Sequence, residues 1–134
     1  MKQELYIAWN DNNFLGIPII DEQHRSIVAI INTLHYFVEK HMELEVLTPI
    51  ISAISQYTII HFKTEEIMLK EAGYPSLDDH ILLHKHLVNE MKSVADESTQ
   101  ERDVEPLLKF LKAWWLNHIN REDRKYVSFI TSQK

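Results

Sequence analysis

The chain contains no cysteine. Disulfides, thiolate zinc sites, iron–sulfur clusters and cysteine nucleophiles are therefore excluded together. Glycine and proline are scarce, at 2 and 4 of 134 residues. Sandwiches and barrels use both residue types in their many tight turns, so an all-β architecture is disfavoured. The net charge is −6 and no basic stripe interrupts it, which removes the usual footprint of a nucleic-acid binder. No apolar run approaches the roughly 20 residues of a membrane span. Charges also break up the N-terminal stretch too early for a secretory signal. The expectation is a cytoplasmic protein with no membrane partner. Its 134 residues, read as one domain (1–134), suffice to bury a single core.

Histidine is the residue in excess, with eight in the chain. Its placement follows the apolar periodicity. Residues 1–17 read as a polar and aromatic arm without a clear period. From Pro18 onward, Ile27, Ile31, Leu34 and Val38 fall at helical spacing, with His24 on the same stripe. The polar stretch His41–Glu45 ends that helix. A second helix is expected from about Glu45 to Glu71, its stripe reading Leu47, Ile50, Ile54, Tyr57, His61, Glu65 and Met68. Pro49 is placed within about its first turn, and Gly73 followed by Tyr74-Pro75 stops it. A third helix, capped by Asp78 or Asp79, carries His80, His84, Leu87, Met91 and Val94 or Ala95. The polar run Asp96–Arg102 reads as a loop. A fourth helix turns Val104, Leu108, Leu111, Trp115 and His118 inward, and a short tail helix follows through Ile130. The fold class is all-α: an antiparallel up-down-up-down four-helix bundle with an N-terminal arm and a short C-terminal helix.

Every one of these helices puts histidine on its inward stripe. Residues i and i+4 of an α-helix differ by about 40° and stack one above the other. His61/Glu65 and His80/His84 can each aim two donors at one point. Asp123 lies five residues beyond His118, about 140° away in a regular helix. The two converge only if the helix ends, bulges or bends, and an irregularity is expected near Asn120–Glu122. Five imidazoles (His24, His61, His80, His84, His118) and two carboxylates (Glu65, Asp123) are too many for one ion. If both carboxylates and a solvent oxygen bridge two ions, three histidines complete one metal and two leave the other an open position. Imidazole with carboxylate suits iron and other divalent metals, so spacing alone does not choose.

The segments Gly16–His24, His61-Phe-Lys-Thr-Glu65, Gly73-Tyr-Pro75, His80-Ile-Leu-Leu-His84 and His118-Ile-Asn-Arg-Glu-Asp123 resemble the bacterial hemerythrins over nearly the whole chain. All seven ligand positions of that family are matched in order and spacing. The resemblance implies two bridged iron ions. His80, His84 and His118 would hold the saturated iron, His24 and His61 the open one, with Glu65 and Asp123 bridging. It implies reversible dioxygen binding at the open iron, for storage, transport or delivery, with no catalytic residues. Ile27, Phe62, Trp115 and Ile119 are candidates for the dioxygen pocket. At the Trp115 position the family usually has leucine, so the indole either adds packing or narrows the pocket.

Other readings stand beside this one. A di-iron oxidase or peroxidase could use the same open position, although no Glu-x-x-His pair of the oxygen-activating bundles is present. Sensing of dioxygen or nitric oxide would work through a separate partner, as delivery would through a recipient. Simple metal buffering is the last. A monomer is expected, since four helices use up the inward stripes. His35, His41 and His86 read as structural, and Trp9 and Tyr126 as aromatic support around the site.

Overall fold

The computed structural model describes residues 4–132, apart from the side chains of residues 120–122 and 132. After a 3-10 turn at Asp11–Asn13 come α1 (Pro18–Glu39), α2 (Leu44–Ala72), α3 (Leu77–Glu101) and α4 (Glu105–Trp114). The last of these runs without a break through a π-helical stretch, Trp115–Glu122, into α5 (Asp123–Ser132). Among the described residues there is no strand. Helix α1 packs on α2, α2 on α3, α3 on α4, and α4 back on α1, closing an up-down-up-down bundle.

Local chemistry sets the helix ends. Pro18 opens α1, where its fixed φ suits the helix and its missing N–H goes unneeded. Gly73 ends α2 at φ 72°, and the Tyr74 N–H reaches back to the Leu69 carbonyl at 2.9 Å. Helix α3 ends the same way without glycine: Arg102 adopts φ 54° and the Asp103 N–H reaches Ser98 at 3.0 Å.

Four details differ from the sequence expectations. Helix α3 does not stop at Asp96 but continues to Glu101. Its polar residues are helix-compatible, and Ser98 faces inward, which extends the buried face by a turn. Ser76, rather than Asp78 or Asp79, occupies the N-cap position; the two aspartates lie in the first turn, where their charge suits the helix dipole. Pro49 sits inside α2, deeper than its first turn, and the Glu45 carbonyl it leaves without a donor is on the exposed side. The inward stripe of α2 is also rotated slightly. Ile51, Thr58, Phe62 and Leu69 are buried, while Ile50, Tyr57 and Met68 are only half-buried.

The bundle has two unlike ends. At one, Ile31, Leu34, Leu47, Ile51, Ile54, Leu107, Leu108 and Leu111 form an apolar core. Each fully buried aliphatic side chain there stabilises the fold by about 1.5–3 kcal/mol. At the other end α1, α2 and α3, with the π stretch and the start of α5, bury histidines and carboxylates. The N-terminal arm lies along the bundle, tied down by Asn32. The Asn32 side chain accepts from the Ile7 N–H at 2.8 Å and donates to the Ile7 carbonyl at 2.9 Å.

Candidate metal centre

Seven side chains meet at the polar end: His24 from α1, His61 and Glu65 from α2, His80 and His84 from α3, His118 from the π stretch, and Asp123 from the start of α5. All except His80 are buried, and His80 is only 11% exposed. Two groups of donors share Glu65. One is His24, His61, Glu65 and Asp123; the other is Glu65, His80 and His84.

The shared carboxylate divides its oxygens. Glu65 Oε1 lies 2.6 Å from His61 Nε2, while Oε2 lies 3.2 Å from His84 Nε2 and 3.5 Å from His80 Nε2. Asp123 does the same. Its Oδ2 is 3.0 Å from His24 Nε2 and 3.6 Å from His61 Nε2, and its Oδ1 is 3.7 Å from His118 Nε2. His24 and His61 bring their Nε2 atoms within 3.1 Å of each other.

The π stretch brings His118 and Asp123 together. The Asp123 N–H bonds to the His118 carbonyl, five residues back. A turn closed at five residues stacks positions that a regular α-helix would splay apart. The irregularity expected near Asn120–Glu122 is thus a widened helix that begins earlier, at Trp115. The side chains at 120–122 lie outside the described residues. Arg124 and Lys125, in the first turn of α5, are exposed.

The donor set fits metal ions better than a hydrogen-bond network. His84 Nε2, His118 Nε2 and Glu65 Oε1 are fully buried without a hydrogen-bond partner. Leaving such atoms unpaired costs about 1–3 kcal/mol each. Atoms this close that do not satisfy one another require something between them, and imidazole with carboxylate is a donor set for divalent transition metals.

Burial tunes the donors accordingly. Desolvation, reinforced by His61, lowers the His24 pKa to about 3. Desolvation lowers that of His118 to about 4, with His84 and His80 adding to it. Both imidazoles are then neutral and keep lone pairs free for a metal. Burial opposes ionisation of Glu65, but the adjacent His61 holds its carboxyl well below the usual range. Tyr126 is buried beside the site, and desolvation together with the Glu65 and Asp123 charges keeps its phenol protonated.

Around the donors stand Ile27, Phe62, Trp115 and Ile119, all buried. Phe62 stacks face to face on His84, with centroids 3.8 Å apart, and its edge meets His118. Trp115 stands edge-on to the His24 ring at 5.6 Å, backed by Trp9 from the arm at 5.8 Å. Trp114 points instead toward Phe62. The other histidines lie apart: His35 stacks on Tyr6, His86 is 75% exposed, and His41 sits exposed at the α1 end with φ 57°.

Two contacts carry residues the sequence reading did not single out. His61 Nδ1 lies 2.9 Å from Gln23 Oε1, and His84 Nδ1 lies 2.9 Å from Glu66 Oε2. Each partner belongs to a neighbouring helix, so no spacing along the chain signals it.

Comparison with known proteins agrees with this architecture. Residues 15–130 match the family model described as the hemerythrin HHE cation binding domain. The bacteriohemerythrin of Pseudomonas aeruginosa is 32% identical over 93% of this chain and 82% of its own length. That of Stenotrophomonas maltophilia is 31% identical over 90% and 78%. That of Clostridium acetobutylicum is 29% identical over 90% and 98%. The crystal structure of a wild-type hemerythrin superposes with a TM-score of 0.79 at 22% identity, over 94% of this chain and 98% of that one, a likeness of fold.

Proposed function

The chain belongs to the hemerythrin family, and from that premise we propose that it holds two iron ions and binds dioxygen reversibly. The observation that carries the proposal is the pair of buried donor groups meeting at one carboxylate, Glu65. His80, His84 and His118 would complete one metal; His24 and His61 would leave the other a free position, with Glu65 and Asp123 spanning the two. Iron held by these residues would supply the reversible redox chemistry that retaining and releasing dioxygen needs.

The rest of the work falls to the chain. Phe62 and His84 stack, and Trp115 braces His24, so these rings hold their angles. Ile27, Phe62, Trp115 and Ile119 are buried, and as the walls of the pocket they would exclude water from the face beside His24 and His61. A dry wall with no carboxylic acid or charged side chain favours release of dioxygen unchanged over its consumption. A histidine-rich donor set also favours binding over oxygen activation, which in helical bundles goes with carboxylate-rich sites.

The test is direct. Protein reduced without air should contain two irons per chain, one for each donor group. A visible charge-transfer band should appear with dioxygen and vanish on degassing, through repeated cycles. Rapid bleaching to a stable oxidised form would replace this reading with an oxidase or peroxidase.

A further inference from the structure

Resting on that two-metal reading, we infer that Gln23 is a positioning residue for His61, and that Thr64 fixes which way round the Gln23 amide sits. Hydrogen-bond direction links the three. The Thr64 hydroxyl lies 2.9 Å from the Ile60 carbonyl oxygen. A carbonyl only accepts, so the hydroxyl proton is committed there. The same hydroxyl oxygen lies 3.0 Å from Gln23 Nε2 and must accept from it. The amide is then locked with Oε1 on its other side, 2.9 Å from His61 Nδ1.

An amide oxygen cannot donate, so His61 carries a proton on Nδ1, where it faces the Gln23 oxygen. With Nδ1 holding a proton, Nε2 is the nitrogen left to coordinate, and it lies 2.6 Å from Glu65 Oε1 and 3.1 Å from His24 Nε2. This is the tautomer a metal at that point requires. Were the amide turned over, its NH2 would face Nδ1 and the proton would move to Nε2, closing the ligand position. Gln23 is only 7% exposed, so solvent is poorly placed to take over its part.

The other half of the centre is held without such a relay. His84 Nδ1 donates to the Glu66 carboxylate, which accepts through either oxygen and needs no orientation lock. Disturbing Gln23 or Thr64 therefore loosens the metal position of His61 and leaves that of His84 alone.

Metal release from the loaded protein to excess chelator reads this out. Gln23→Leu should lose one of the two metal equivalents about 10- to 100-fold faster than the parent, with the other equivalent and the helical circular dichroism unchanged. Thr64→Val should accelerate the same equivalent to a smaller degree. Thr64→Ser, which keeps the hydroxyl, should restore the parent rate, a rescue that loss of packing alone does not produce. In zinc-loaded protein, nitrogen-15 NMR should show His61 protonated at Nδ1. Parent-like release from Gln23→Leu, or equal acceleration of both equivalents, overturns the inference. If Gln23→Leu does not fold, the Thr64 pair decides, because that side chain is only half-buried. A parent chain that takes up no metal overturns the two-metal reading and this inference together; a parent that holds metal while its variants match it overturns the inference alone.

Discussion

The two ends of this bundle are built on the same helices by opposite energetics. At the apolar end, Leu34, Ile54, Leu107, Leu108 and Leu111 are at most 1% exposed, and burying them drives folding outright. At the other end the helices bury four imidazoles and two carboxylates and nearly bury a fifth imidazole, His80, groups whose removal from water costs free energy unless they are paired. The first end stabilises the fold and the second draws on that stability to hold donors in place. Stability and ligand binding should therefore be separable by mutation.

The largest separation comes from a crossed pair of variants. Glu65→Ala removes the one carboxylate common to both donor groups. It should abolish binding at both metal positions while leaving the helical circular dichroism near that of the metal-free parent. Leu108→Ala should do the reverse, costing about 2–5 kcal/mol in urea unfolding with full metal content in the folded fraction. Loss of metal from Leu108→Ala without loss of stability would sink the idea of two independent ends.

The ends should also part company in acid. In metal-free protein, His24 and His118 titrate at about 3 and about 4 when folded, against about 6.5 in an unfolded chain. The folded state then binds fewer protons than the unfolded one below pH ~6.5. Stability is complete above that pH and falls as pH drops toward the folded values. Each histidine contributes a slope approaching about 1.4 kcal/mol per pH unit. The urea midpoint should thus drop between pH ~6.5 and ~5, before ordinary carboxylates protonate. A flat midpoint across that window would contradict the depressed histidines.

The smallest effect is expected at the wall between the ends. Trp115→Leu should speed dioxygen entry and autoxidation several-fold, since the indole stands edge-on to His24. Stopped-flow mixing and bleaching of the oxygenated band measure the two rates. Unchanged values of both would leave Trp115 a packing residue only.

Much of this was legible in the sequence because helical periodicity is a local property. His61 with Glu65 and His80 with His84 announce a shared face through their spacing alone. The five-residue step from His118 to Asp123 announces a distortion, since no regular helix brings them together. What could not be read depends on neighbours across the bundle. Gln23 and Glu66 sit next to ligands in sequence, about 100° off the inward stripe, and acquire their roles only from the helix packed against them. The run from Asp96 to Glu101 reads as a loop because its polarity outweighs its helix compatibility, and the burial of Ser98 shows only once the bundle is assembled. The rotation of the α2 stripe from Ile50 and Tyr57 to Ile51 and Thr58 is set by where α1 and α3 lie, which no single helix encodes.

The widened stretch Trp115–Glu122 makes chain length itself a carrier of information. Relative to an α-helix it holds surplus backbone, and that surplus sets the phase of everything after it. Substituting a spacer side chain such as Leu116, which faces solvent, leaves this count intact. Deleting one spacer residue would not: α5 would turn by about 100°, carrying Asp123 and Tyr126 off the site together. Over these residues the protein should tolerate changes of letter far better than a change in their number.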